Sequence, residues 1–410
     1  MESKPYKSLF ITYDGLTDTL GQSQILPYII GLAKLGYAFT TLRCEKKERY
    51  ESKGQFIQEI CNLHGISWHP LFFHRTPPIV AKYYDLFNLK RTARKLYLKH
   101  RFDIIHCRSY LAAEIGMELK AEFGCRFLFD MRGFWVDERV DGGLWNMGSP
   151  FYRFAYKHYK KKEGKLISTA DHIISLTETG KKEIKSWKYY KSAPITVVPC
   201  SADLNLFTIA EEQQKVASRK HLGISNQALV LSYLGSLGTW YLIDEMLTLF
   251  QELKTKYKSA VLLILTPDDP NIVHDRATKL GLMKEDIRIY FAERNDVPFL
   301  MKASDVSVSF IKPAYSKIAS SPTKLGELLA MGIPVICNDI GDVRKIVVQS
   351  GGGIIVDDFS SASLKSAVDA LPTLLSVNKN DIRKSIYSYY DLSNAIATYE
   401  QVYQQLVNKK

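Results

Sequence analysis

The chain has no Cys-x-x-Cys pair. Its six cysteines, at positions 44, 61, 107, 125, 200 and 337, are scattered over 410 residues. That spacing excludes a zinc knuckle and a disulfide framework, and predicts small buried thiols in a reducing compartment. No apolar run approaches the roughly 20 residues needed to span a bilayer, and the opening Met1-Glu-Ser-Lys-Pro-Tyr-Lys lacks an apolar signal core. A soluble, cytoplasmic protein is therefore expected. Asp-x-Asp occurs nowhere, and Asp268-Asp269 lies beside prolines, more like a turn than a cation site. No metal is predicted. Acidic residues are also in deficit: 43 Asp and Glu face 55 Lys and Arg, a net charge of +12. Such a balance attracts nucleic acid, an anionic membrane face or phosphorylated ligands. No stacking motif or known module accompanies the charge, which argues against nucleic acid.

What is present reads as two α/β domains, since this length exceeds one ordinary core and hydrophobic residues make up 46% of it. Leu9–Tyr13 is a short apolar strand entering a loop, Asp14–Gln24, that contains Gly15, Gly21 and Gln22. A helix through Ile25, Ile29 and Leu32 and a strand at Phe39–Arg43 complete a βαβ unit. The loop falls at the carboxyl end of its strand, where open parallel sheets bind ligands. It is not Gly-x-Gly-x-x-Gly, so it gives no support to a dinucleotide cofactor. The segments Asp103–Tyr110 and Arg126–Arg139 are strands whose following loops share that sheet edge. They gather His106, Arg108, Asp130, Arg132, Asp137, Glu138 and Arg139 there. Residues 73–102 and 151–165 interleave aromatics with Lys and Arg, as an interfacial membrane helix does and as solvated amphipathic helices also do.

After a polar, linker-like stretch at 208–225, Leu229–Tyr241 is a strand plus glycine loop, in which Gly235 and Gly238 let backbone amides approach a diphosphate. The most organised stretch is Ser320–Cys337. Ser321 is expected at the N-cap and Pro322 at the first helical position; Leu325, Leu328 and Leu329 form an apolar stripe; Gly332 ends the helix and Pro334 precedes the strand Val335-Ile336. Lys324 and Glu327, three apart, project from one side near free N–H groups that attract anions. This outlines a nucleotide-phosphate site, although a surface ion pair has the same spacing.

Ser321-Pro-x-Lys324-x-x-Glu327-x-x-Ala330-x-Gly332-x-Pro334-Val335 resembles the donor-site signature of retaining glycosyltransferases of family four, of the bacterial surface-polysaccharide type, which have the GT-B fold. The resemblance implies two doubly wound Rossmann-like domains facing a cleft. The first, residues 1–200, would bind the acceptor and be completed by a helix at about 390–410 that crosses back; the second, 201–389, would bind the nucleotide-sugar. Glu327 would hold the ribose and Lys324 the diphosphate, with Gly235, Ser236, Gly238, Thr239, Ser321 and Thr323 around the donor. Gly21, Gln22, His106 and Arg108 would face the acceptor. Arg132, beside Asp130, stands where many relatives carry a histidine near the reacting sugar, which makes Arg132, Asp130 and Lys324 the catalytic candidates. Two departures stand out: Ala319 replaces a second glutamate, and Trp240 and Tyr241 replace an arginine and a lysine after the glycine loop. The implied activity is transfer, with retention, from a UDP- or GDP-sugar to a lipid-linked or saccharide acceptor in cell-surface polysaccharide or glycolipid synthesis. It would use no cofactor and no metal and would take place at the anionic inner face of the cell membrane. A nucleotide-sugar epimerase of the same fold, or a non-catalytic GT-B partner subunit, would share these features.

Overall fold

Strands that are apolar along their whole length can be covered on both faces only if each return passes through a helix, and this dictates parallel sheets. The computed structural model describes residues 6–408; the opening segment, in which no signal was expected, falls almost wholly outside them. Seven strands form the first sheet: β1 (Lys7–Thr12), β2 (Ala38–Glu45), β3 (Ser67–Phe72), β4 (Ile104–Arg108), β5 (Arg126–Asp130), β6 (His172–Ser175) and β7 (Ile195–Val197). Their order is β3-β2-β1-β4-β5-β6-β7. Six form the second: β8 (Val230–Leu234), β9 (Val261–Leu265), β10 (Ile287–Tyr290), β11 (Val306–Ser309), β12 (Val335–Asn338) and β13 (Gly353–Val356). Their order is β10-β9-β8-β11-β12-β13. Counted from its own first strand, the second sheet repeats the order of the first six strands of the first. Both are doubly wound, as expected, and each reverses direction once, between β1 and β4 and between β8 and β11. The carboxyl ends of those strand pairs are where such sheets receive ligands.

The chain divides into one unit that runs to Pro199 and resumes at Leu392, and another from Cys200 to Asp391. In the first, the terminal helix Leu392–Asn408 buries Tyr399, Val402, Tyr403 and Leu406. It lies so close to the helix Leu26–Lys34 that a Cβ on Gly31 would stand 2.2 Å from Ile396 Cδ1 and would force that side chain to move. In the second, Tyr233, Phe250 and Phe310 are fully buried, each such side chain contributing about 1.5–3 kcal/mol relative to exposure.

Three local expectations are corrected. Asp14–Gln24 is not all loop: Thr19–Gln24 is a short helix, broken at Ile25 (φ −134°) before the next begins. Its Gly21 is needed because a Cβ there would lie 2.0 Å from the Gly15 carbonyl oxygen. The helix of the motif spans Thr323–Ala330 with Pro322, not Ser321, at its N-cap; Ser321 Oγ instead accepts from the Cys200 amide at 3.3 Å. The stretch 208–225 contains a helix, Glu212–His221. Its buried Arg219 donates to Ala303 O and Asn226 O and pairs with Asp305, which a composition-based reading of a polar segment misses.

Candidate functional site

In the second domain β8 runs into Gly235, whose φ of 130° favours glycine. Its amide donates to Leu265 O at 2.9 Å, Tyr233 Oη donates to Ser236 O, and the Leu237 amide donates to Asp268. A Cβ on Gly235 would stand 2.7 Å from Lys324 Nζ, so this glycine admits the lysine. Gly238 has open space where a Cβ would be, and it is exposed with Ser236 and Thr239. Of the two glycines only Gly235 is required by the backbone.

Lys324 does not pair with Glu327 as a surface couple. Its Nζ lies 3.7 Å from the centre of the Tyr241 ring and 4.6 Å from that of Tyr233, and it donates to Tyr233 Oη at 3.4 Å. Loss of water in this aromatic cage pulls its pKa down to about 7, against the opposing charge of Glu327. Glu327 is 5% exposed, and Arg294 Nη1 reaches its Oε1 at 2.8 Å while resting over Phe207. Nothing in the motif pointed to Arg294; the charged run Glu293-Arg-Asn-Asp296 after β10 was the available signal. Lys317 lies 3.7 Å over Trp240. The two aromatic residues that replace the expected Arg and Lys thus receive lysines from elsewhere in the chain. Ser321 and Thr323 are half-buried beside them in sequence.

In the first domain, Asp130 ends β5 at 1% exposure. Tyr399 of the terminal helix donates to its Oδ2 at 3.0 Å; Arg108 Nη1, Arg132 Nη1 and His106 Nε2 stand 3.8, 3.8 and 3.6 Å from its oxygens. Burial raises its pKa, but Arg132, His106 and Arg108 outweigh burial and bring it to about 2. Burial lowers the pKa of His106, whose Nδ1 meets Tyr403 Oη at 2.9 Å. Arg132 takes a left-handed φ of 57°. The structure therefore brings His106, Arg108, Asp130 and Arg132 together, but closes Asp130 and His106 off from solvent, which fits positioning of the arginines. Gly21 and Gln22 belong to a separate feature, the helix packed on the loop after β1, where Gln22 donates to Thr17 O at 3.0 Å. Glu45, fully buried and unsuspected from sequence, anchors that loop by accepting from the Leu16 and Thr17 amides and the Thr17 hydroxyl. Asp137 points inward to Tyr156 and Lys160.

The two basic, aromatic stretches separate by face. Val80, Tyr83, Tyr84 and Phe87 are 53–66% exposed on the helix Pro78–His100, as are Phe151 (65%) and Phe154 (71%) on the helix Pro150–Thr169. Lys160 instead pairs with Asp137 and Glu163, and Lys162 with Glu114. Those two lysines hold the fold, and only Lys161 of the run 160–162 is exposed. Among the described residues, no helix is long and apolar enough to cross a membrane, and no group of three or more His, Cys, Asp or Glu could hold a metal ion.

Residues 29–206 match the family model described as Glycosyltransferase Family 4, and residues 214–380 match Glycosyl transferases group 1. An uncharacterized glycosyltransferase of Methanocaldococcus jannaschii is 20% identical over 86% of this chain and 87% of its own. The D-inositol 3-phosphate glycosyltransferase of Thermobispora bispora is 22% identical over 77% of this chain and 73% of its own. The crystal structure of Anabaena HepE with UDP and glucose superposes with a TM-score of 0.68 at 14% identity, covering 98% of this chain and all of that one.

Proposed function

The chain is a glycosyltransferase of the family-four type with the GT-B fold, and we propose that it moves a sugar, with retention, from a UDP- or GDP-sugar to a saccharide acceptor that is lipid-linked. The observation that carries the donor half of this reading is the meeting of Lys324, Gly235 and Tyr241 at the switch point of the second sheet, with Glu327 one helical turn beyond Lys324. Breaking the anomeric C–O bond leaves positive charge on the sugar and negative charge on the departing diphosphate. Lys324, protonated once the diphosphate is near, stabilises that charge as it grows. Glu327 accepts from the ribose hydroxyls through the carboxylate oxygen that Arg294 does not use. In the first domain Arg108 and Arg132, held by Asp130, face the acceptor. No metal is needed where a lysine and backbone amides meet the leaving group.

Support for a lipid-linked acceptor, and for work at the inner face of the cell membrane in surface polysaccharide or glycolipid synthesis, comes from the exposed Tyr83, Tyr84, Phe87, Phe151 and Phe154 among surface Lys and Arg. Aromatic rings favour the membrane interface, and each basic residue close to an anionic surface adds about 1 kcal/mol. Incubating the purified protein with UDP- and GDP-sugars and lipid-linked acceptors, with products read by mass spectrometry, tests the activity. A new glycosidic bond is expected; sugar epimers without transfer would make it an epimerase, and neither product would make it a binding subunit. Co-sedimentation with anionic vesicles should fall with salt and with Tyr83→Ser, Phe87→Ser and Phe154→Ser together; equal binding by parent and variant rejects the docking.

A further inference from the structure

A cavity of about 460 Å³ opens at the carboxyl edge of the first sheet and is lined wholly by residues of that domain. Its walls divide by chemistry. Tyr13, Phe73 and Trp135 give flat aromatic faces, and Lys82, Arg108 and Arg139 give cations. Arg75 adds a fourth cation at the exposed lip, whereas Asp14 is the only carboxylate in the lining.

Arg75 stands 4.0 Å from Glu48 and Arg108 stands near Asp130 and Asp14, whereas the other two cations are not spent on ion pairs. Lys82 Nζ and Arg139 Cζ both lie against the Trp135 ring, 5.5 and 4.7 Å from its centre, and among the described residues neither forms an ion pair. Arg108 is 5% exposed, and its nearest carboxylate oxygens are 3.8 and 4.0 Å away, beyond hydrogen-bond reach. Burial, and then the charge of Arg139, makes Lys82 harder to protonate. These two half-buried cations are forced together, and the acidic groups that act on them, Glu114 on Lys82 and Glu138 on Arg139, form no ion pair with either among the described residues. Asp85, 2% exposed, accepts from Tyr13 Oη at 3.2 Å and from the His74 amide and ring at 3.0 and 2.5 Å. It thereby fixes two of the walls in place.

We propose that this cavity binds a phosphorylated saccharide or cyclitol, its phosphate among Lys82, Arg108 and Arg139 and its ring against Trp135 and Tyr13. A phosphate ester brings close to two negative charges and three acceptor oxygens, which matches three converging cations better than a neutral sugar does. Aromatic faces suit the C–H surface of a sugar ring. The volume lies in the range of small-molecule sites. The inference rests on the reading of the first domain as the acceptor side and names the acceptor's chemical class. The phosphate can belong to a free sugar phosphate or to the head of a lipid diphosphate.

The test is equilibrium binding to the full chain with UDP or GDP saturating, whichever the parent binds, so that the donor site is filled. The probes are glucose 6-phosphate and myo-inositol 1-phosphate, each against its unphosphorylated parent, and a polyprenyl diphosphate sugar in detergent against the same sugar on a neutral lipid. The phosphorylated member of at least one pair should bind on the order of tenfold more tightly or better. The pair with the stronger preference identifies the free or the lipid source. Lys82→Met and Arg139→Gln, which retain most of the packed side chain, should each reduce that preference with the affinity for the donor nucleotide unchanged. Equal binding within every pair, no binding of any probe, or an undiminished preference in folded variants would overturn the proposal. The comparison within pairs needs no variant, so a misfolded mutant cannot rescue it. A parent chain that binds neither UDP nor GDP would count against the donor reading instead.

Discussion

The two sheets share the order of their first six strands but equip their switch points in opposite ways. In the first domain the strand ends carry charge into the interior: Glu45, His106, Arg108 and Asp130 are all 5% exposed or less. Asp130 stands among His106, Arg108 and Arg132 and accepts from Tyr399, His106 meets Tyr403, and Glu45 accepts from the Leu16 and Thr17 amides. In the second domain one cation, Lys324, is held by rings rather than by a carboxylate. A charge network tied to the terminal helix is part of the fold, so damage to it should appear first as instability. A caged lysine is bound to nothing it cannot leave, so damage there should appear first in ligand binding and turnover.

The largest effect that would test this contrast is expected from Asp130→Ala. Removing the carboxylate leaves Arg108 and Arg132 uncompensated, and breaking such a buried pair costs about 3–5 kcal/mol. Chemical denaturation should show it, and a variant as stable as the parent would break the contrast. Because Asp130 is held at about 2, below the usual range for aspartate, its stabilisation is complete above about pH 4 and fades as pH falls through the folded value. The parent's acid unfolding should therefore contain a step that Asp130→Ala lacks.

Next in size is Glu327→Ala, in the second domain. Donor affinity should fall by about 2–4 kcal/mol, the range for paired hydrogen bonds to a charged group. Calorimetry with UDP checks this, and an unchanged affinity would remove Glu327 from the donor site. Arg294 loses its partner too, but its side chain is 28% exposed, so water can replace the carboxylate and stability should change less than in Asp130→Ala.

Lys324 sharpens the contrast through protons. With its pKa near 7, the amine is mostly neutral at pH 8 in the free protein. An arriving diphosphate raises that pKa, so binding should take up about one proton at pH 8 and close to none at pH 6. Calorimetry in buffers of different ionisation enthalpy measures the uptake, and Lys324→Met should abolish it and depress turnover more than affinity. Uptake that persists in the variant would show that another group titrates. The smallest effect expected is that of EDTA, which should leave turnover unchanged; reversible loss of activity would mean that a cation shares the leaving-group charge.

The sequence alone determined a good deal, because its strongest signals are local. Apolar runs too long for one buried face, alternating with amphipathic stretches, were enough for two doubly wound parallel sheets. A helix with Pro at its start and Gly332 at its end, followed by Pro334 and Val335-Ile336, was legible because caps and breakers act within a few residues. The family signature grouped Gly235, Lys324 and Glu327 around one donor. Only tertiary structure decided what those side chains touch. Tyr233 and Tyr241 cage Lys324 from across more than 80 residues, Arg294 claims Glu327 from 33 residues away, and Tyr399 reaches Asp130 from 269. The run Lys160–Lys162 shows the limit most plainly: as sequence it is a basic patch, yet Lys160 and Lys162 turn to Asp137, Glu163 and Glu114. Charge is a property of the residue, but whether it meets water, a ring or a carboxylate depends on which distant segment the fold lays beside it.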